Sequence, residues 1–161
     1  MSIKVMGFDP VYNFESAVLI LGSFPSVKSR KVEFYYGNKQ NKFWKVLCGF
    51  FGEEVPESVE GKKEFLLRRK VALWDIVTEC EIVGSQDSTI KNFKVAALNS
   101  LLQNSEIRFI ILNGSKAYEI FTANYSHLAV PYVKLPSTSP ANTRFSEKEW
   151  FDVLSTAFGQ A

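Results

Sequence analysis

Two short runs with no polar residue constrain what this chain can fold into. Ala17-Val18-Leu19-Ile20-Leu21 stops at Gly22, and Phe109-Ile110-Ile111-Leu112 stops at Asn113-Gly114. A strand that is apolar on both faces has to be covered on both, which is the situation of a parallel sheet packed between helices. Val71 to Val77 reads as another strand or near-strand segment, and Val130 to Leu135 as a short one closed by Pro136. The segments between carry helical spacing. Asn38 to Phe51 presents Phe43, Trp44, Val46, Leu47 and Phe50 at that period, and Phe93 to Leu102 reads as an amphipathic helix. Ser115 to Asn124 reads as a helix with Ser115 as its N-cap, and Phe145 to Phe158 as a helix opened by Ser146 with Glu149 three residues on, a capping-box pattern. Strands alternating with helices imply βα units, a parallel sheet and helices on both faces. Ligands in such sheets bind outside the carboxyl ends of the strands. Site residues are therefore expected in Gly22 to Ser26, Thr78 to Asp87, Asn113-Gly114 and Ser137 to Thr143.

The rest of the sequence narrows the class. Its 161 residues fit a single domain over 1–161, with no repeat, linker or low-complexity tract. No stretch is long and apolar enough for a membrane, and MSIKVMGFDPVYNFES lacks the form of a signal peptide. Cys48 and Cys80 sit in apolar surroundings and read as buried free thiols of a reducing, cytoplasmic compartment. Two cysteines are too few for a four-thiolate cluster, and one histidine, His127, makes no His-based metal site, so neither metal nor cofactor is expected. A net charge of +2 does not imply a nucleic-acid partner. Local charge says more: Lys28, Arg30, Lys31, Lys39, Lys42 and Lys45 fall together with Glu33 as the one acid among them. Such a cluster is either a solvated face or a rim that meets phosphates.

Two motifs bear on chemistry. In Leu21-Gly22-Ser23-Phe24-Pro25-Ser26, glycine permits a tight turn and proline fixes the exit from the strand, while Gly22, Ser23 and Ser26 can offer backbone N–H groups to a polar ligand. The stretch lacks the Gly-x-Ser-x-Gly of a nucleophile elbow and the Gly-Lys-Ser/Thr ending of a P-loop. The second motif, Tyr35-Tyr36-Gly37-Asn38-Lys39-Gln40-Asn41-Lys42-Phe43-Trp44, sets paired tyrosines and two asparagines before an aromatic-rich helix. The aromatics offer faces on which a base can stack, and asparagine can bond a base edge or orient a water. The same residues also suit a helix-capping Asn beside core aromatics. Asp75 and Asp87 read as local structural groups, Asp87-Ser88 as an N-cap for a helix around Ile90 and Asp75 as a cap or local ion pair.

Gly22-Ser23-Phe24-Pro25-Ser26, then Tyr35-Tyr36 and Asn41-Lys42-Phe43-Trp44, resemble the uracil-DNA glycosylase superfamily. The pattern is most similar to its hypoxanthine-DNA (deoxyinosine) glycosylase branch, with the mismatch-specific uracil/thymine glycosylases as near relatives. Leu73-Trp74-Asp75-Ile76, Gly84-Ser85-Gln86-Asp87-Ser88-Thr89-Ile90, Leu112-Asn113-Gly114 and Leu135-Pro136-Ser137-Thr138-Ser139-Pro140-Ala141-Asn142 agree with it in order along the chain. The resemblance implies a three-layer α/β/α sandwich around a central, mostly parallel four-stranded sheet. It implies a monofunctional enzyme, without cofactor or metal, that flips a deaminated base out of double- or single-stranded DNA and hydrolyses its N-glycosidic bond as a monomer.

Roles follow from the same resemblance. Asn41 is the implied catalytic residue. Tyr36 is the aromatic that stacks on the base, and Asn113 resembles the base-reading Asn of classical uracil enzymes. Gly22, Ser23, Phe24, Pro25 and Ser26 line the substrate, and Phe24 stands where other branches carry the Asn or Asp that positions water. Lys39 and Lys42 meet DNA. Ser137 or Thr138 stands near the position of the classical histidine, and Ser139, Pro140, Ala141 and Asn142 resemble the loop that enters the minor groove. His127 is expected at the surface. Two other classes stay open on the residues alone: a non-catalytic nucleic-acid-binding module and, with no Ser-His-Asp pattern, a weaker case for a small-molecule hydrolase.

Overall fold

The computed structural model describes residues 3–159. In chain order its elements are β1 (Ile3–Met6), β2 (Val18–Gly22), α1 (Val27–Val32), α2 (Phe43–Phe50), α3 (Val59–Arg68), β3 (Val71–Asp75), β4 (Val77–Ile82), a 3-10 turn at Asp87–Thr89, β5 (Lys91–Val95), α4 (Leu98–Gln103), β6 (Phe109–Asn113), α5 (Ser115–Tyr125), β7 (Tyr132–Leu135) and α6 (Glu147–Ala157). Four strands form a parallel sheet in the order β3-β2-β6-β7, and the apolar run 18–21 lies at its centre between β3 and β6.

Alternation along these strands divides the core in two. Val18 and Ile20, with Leu73 and Ile111, face a cluster supplied by Phe43, Trp44 and Leu47 of α2, Phe65 and Leu66 of α3, and Trp150 and Leu154 of α6. Leu19 and Leu21, with Ala72, Ile110 and Leu112, face Leu98 and Leu101 of α4 and Ala117, Ile120 and Phe121 of α5. The result is the three-layer α/β/α sandwich, and it explains why the central strand reads as apolar throughout: each side chain meets a helical layer.

A second, antiparallel sheet, β1-β4-β5, was not foreseen from the sequence. The expected strand over 71–77 divides at Ile76. β3 ends in the parallel sheet, and β4 begins at Val77 in the antiparallel one. The turn is held by the end of β2, since Ile76 N donates to Gly22 O at 2.8 Å and Val77 N to Ser23 O at 3.1 Å. The expected helix over 93–102 is corrected to a strand, β5, followed by the short α4. Pairing with β4 overrides the local pattern. It sets Lys94 opposite Glu79 and Lys91 opposite Glu81, with Asn92 Nδ2 donating to Glu81 Oε2 at 2.7 Å.

Local signals at helix starts held in part. Ser146 Oγ accepts from Glu149 N at 3.2 Å and opens α6, while Ser26 Oγ accepts from Ser29 N at 3.1 Å and opens α1. Ser115, expected as an N-cap, is the first residue of α5, and Gly114, at φ 99°, takes the cap position. A Cβ there would lie 3.1 Å from Ser137 Cβ, so the glycine also lets the end of β6 approach the loop after β7. Cys48 and Cys80 are free, buried and in opposite halves of the core, and burial pushes both thiols up to about 11.

Phe43 ties the helical layer to the functional end of the sheet. It is fully buried, stands edge-on to Trp44 at 5.0 Å and to Trp150 at 6.4 Å, and stacks on Tyr36 at 4.1 Å. Phe43→Ala is expected to cost about 3–5 kcal/mol, read as a lowered urea midpoint with an unchanged slope.

Candidate active site

The parallel strands end on one edge of the sheet, and the loops that follow them enclose a cavity of about 820 Å³. Gly22 to Ser26, Tyr36, Asn41, Asn113 and Ser137 to Asn142 all line it. The fold thus brings together almost every site residue expected from the sequence, drawn from positions more than a hundred residues apart. Lys39 and Lys42 are exposed nearby but do not line the cavity. Lys28 and Lys31, of the same basic cluster, do line it. Arg30, of the same cluster, is half-buried, and its Nη2 donates to Gly84 O at 2.6 Å and straps the 84–88 loop onto α1. His127 is exposed and does not line the cavity.

The floor is set by Gly22. A Cβ on this residue would lie 2.6 Å from Asp75 Oδ1 and 2.8 Å from the Tyr36 hydroxyl, so two polar groups converge on a backbone that has no side chain. Tyr36 adopts a left-handed backbone, φ 53°, a costly conformation for a tyrosine that the surroundings must hold in place. They do so by stacking its ring on Phe43 and by a hydrogen bond from Asn113 Nδ2 to its hydroxyl at 3.1 Å. Burial, followed by the nearby Asp75, pushes the Tyr36 phenol far above its ordinary range, so it stays protonated.

Asn113 is an organiser. Besides Tyr36, its Nδ2 donates to Thr138 Oγ1 at 3.0 Å, and its Oδ1 accepts from Thr138 N at 3.1 Å. Lys42 N in turn donates to Thr138 O at 3.1 Å. The end of β6, the Tyr36 loop and the loop after β7 are thereby locked to one another. That last loop is built of side-chain turns. Ser137 Oγ accepts from Ser139 N at 3.1 Å, Ser139 Oγ from Ala141 N at 3.2 Å, and Asn142 Nδ2 donates to Ser137 O at 2.9 Å. Pro140 and Ala141 form its exposed tip. Asn41 Oδ1 accepts from Phe43 N at 2.9 Å and covers one orphan donor at the start of α2, which leaves its Nδ2 as the group it can offer to a ligand.

Both aspartates depart from the sequence expectation. Asp75 neither caps nor pairs. It is 5% exposed, lines the cavity and has no hydrogen-bond partner for Oδ2. Burial, aided by the charge of Asp87, raises its carboxyl to about 8. Asp87 caps no helix around Ile90, because the chain there is a 3-10 turn with Gln86 as its N-cap. Both Asp87 oxygens instead accept from Ser23 Oγ at 2.9 Å. Burial at Asp75 and a partner 64 positions away at Asp87 leave no local mark on a sequence.

A carboxyl raised on folding makes the native state weaker as pH rises. The protonated form of Asp75 is favoured in the fold, so its contribution is complete below the unfolded value near 4 and is lost as pH climbs to about 8. Thermal melts at pH 5 and pH 9 are expected to show Asp75→Asn gaining on the wild type by a few kcal/mol at the higher pH. Equal melting differences at both values would contradict the burial argument. Gly22→Ala is expected to displace Asp75 or Tyr36 and to abolish ligand binding in the cavity, scored by titration with a duplex carrying a deaminated base.

The comparisons agree with this geometry. The profile of the Uracil DNA glycosylase superfamily matches residues 10–156. A protein of Methanosarcina acetivorans named hypoxanthine DNA glycosylase is 35% identical over 149 residues, covering 89% of this chain and 94% of its own. One of the same name from Methanosarcina barkeri is 31% identical over 119 residues, covering 73% and 75%. The solution NMR structure of a candidate uracil DNA glycosylase from Methanosarcina acetivorans superposes with a TM-score of 0.85 at 33% identity, covering 97% of this chain and 99% of that one. With its sheet order, its cavity at the strand ends and the match along nearly its whole length, the chain belongs to the uracil-DNA glycosylase superfamily.

Proposed function

We propose that hypoxanthine is the base this DNA glycosylase removes, in double- or single-stranded DNA, leaving an abasic site. One observation carries the proposal: the chain, with a polar-floored cavity at its strand ends, is 35% and 31% identical to two relatives named for that activity. A base inside a duplex is out of reach, so the nucleotide must turn out into the cavity at a cost of a few kcal/mol, less for a poorly paired deaminated base. Tyr36, backed by Phe43, supports a stacked base. Asn41 has no useful pKa and its Oδ1 is engaged, so its part is to donate from Nδ2 to the departing base. Lys28, Lys31, Lys39 and Lys42 meet backbone phosphates. The tip of the 137–142 loop, Pro140 and Ala141, faces the duplex where the base has left. The protein acts as a monomer in the cytoplasm and needs no cofactor.

A binding module without catalysis is the second reading, and the helix-capping bond of Asn41 favours it. A strand-cleavage assay separates the two. Duplexes carrying hypoxanthine, uracil or thymine opposite T, C and G are incubated with the protein and then treated with alkali. Alkali-dependent cleavage of the hypoxanthine duplex is expected, with Asn41→Ala lowering the rate by roughly 10²–10³-fold, the cost of one preorganised donor. Cleavage of the uracil duplex alone would move the substrate within the superfamily. Tight binding with no cleavage of any duplex would establish the binding module.

A further inference from the structure

The cavity holds two carboxyls whose surroundings differ sharply. Asp75, at the end of β3, is buried, and its Oδ2 lacks any partner. A carboxyl in that state contributes nothing to the fold and costs it several kcal/mol when charged. Its Oδ1 stands over Gly22 beside the Tyr36 hydroxyl, on the cavity floor. Asp87 sits at the rim, and its two oxygens accept from Ser23 Oγ at 2.9 Å, a bond that favours its charged form against the burial that opposes it. Its loop is fastened over the 22–26 turn by Val27 N donating to Ser85 Oγ at 2.8 Å and by Arg30 on Gly84 O. That fastening brings a carboxyl to Ser23, next to the apolar Phe24 of the cavity wall, which itself offers no polar group to a water.

We propose that Asp75 and Asp87 work as an acid and base pair on the N-glycosidic bond, Asp87 as the carboxylate that holds and deprotonates the attacking water and Asp75 as the neutral carboxyl that donates to the departing base. The proposal rests on the glycosylase reading and adds to it groups that neither Asn41 nor Tyr36 supplies. The C1′–N9 bond breaks and its electron pair leaves with the purine, which takes a proton from Asp75. Water oxygen forms the new bond to C1′ and gives its proton to Asp87. Transfer of that proton through solvent from Asp87 to Asp75 restores both groups, and the sum is DNA plus water giving an abasic site plus the free base. Two carboxyls held in opposite protonation states by their environments are the general solution for glycosidic hydrolysis. The titratable groups facing Asp75 are Tyr35, Tyr36 and Asp87. Both tyrosines stay protonated; burial raises Asp87 as well, opposed by the Ser23 hydrogen bond and by the charge of Lys116.

Single-turnover release from a hypoxanthine duplex, followed from pH 5 to pH 10, tests the pair. The wild type is expected to give a bell-shaped profile whose basic limb falls near pH 8, where Asp75 ionises. Asp87→Asn still offers an oxygen to Ser23 Oγ, so the loop stays fastened, but the rate is expected to drop by roughly 10²–10⁴-fold. Its affinity for a duplex carrying a non-hydrolysable hypoxanthine nucleotide is expected to stay within about twofold of wild type. Asp75→Asn keeps a donor in place and is expected to lose the basic limb along with about tenfold or more of the rate. A wild-type rate in Asp87→Asn, or a basic limb that persists in Asp75→Asn, overturns the pair while leaving the glycosylase reading intact. A wild-type protein that binds the duplex and releases no base overturns both.

Discussion

Position 22 has no room for a side chain, and the rest of the site depends on that. The backbone of β2 ends where Asp75 arrives from one neighbouring strand and the Tyr36 hydroxyl from the loop above, each within 2.8 Å of where a Cβ would stand. Their approach closes the floor of the cavity. It also fixes what lies above: Tyr36 is held in a left-handed backbone by Asn113, and Asn113 holds Thr138, whose carbonyl receives the amide of Lys42 just before α2. One glycine at the end of a central strand therefore sets the relative position of three loops. The sheet supplies the rigidity, and the loops supply the chemistry.

How much of this could be read from the residues follows from the range of the interactions involved. The parallel strands were legible at β2 and β6 because burial on both faces leaves runs without a polar residue. The small antiparallel sheet was not. Its edge strand β5, Lys91-Asn92-Phe93-Lys94-Val95, is mostly exposed and is held by opposite charges on β4, so it carries little hydrophobic pattern of its own. The division of 71–77 into two strands in two sheets was equally invisible, because the deciding hydrogen bonds come from Gly22 and Ser23. Motif residues at the strand ends were found because their types are unusual in those places. Asp75 and Asp87 read as local caps because capping is the ordinary fate of an aspartate in a loop, and neither caps: Asp87 bonds Ser23 across the fold and Asp75 is buried.

Asn113 shows the same limit from another side. The sequence places it at a strand end, where an amide can read a base, and the structure spends both ends of that amide on Tyr36 and Thr138. Breaking those bonds to contact a ligand would strand buried partners, at about 1–3 kcal/mol each. An amide so committed shapes a pocket better than it samples what enters one. Donors and acceptors still free on the cavity wall are then the informative residues, and Asp75 is the most constrained of these.

The same reasoning explains why burial and function coincide at Asp75. A protein whose stability is only some 5–15 kcal/mol does not keep an unpartnered carboxyl in its interior without a compensating use. Burial in the cavity floor acts against ionisation of Asp75, and the neighbouring Asp87 acts in the same direction. The two groups thus meet different surroundings although they are the same residue type a few loops apart: Oδ2 of Asp75 is unpartnered, while both oxygens of Asp87 accept from Ser23 Oγ. Sequence identity gives no hint of that difference. It arises because β3 ends beneath Tyr36 while the 84–88 loop is drawn to the rim by Ser23 and Arg30, so that topology, rather than residue choice, separates an acid from a base.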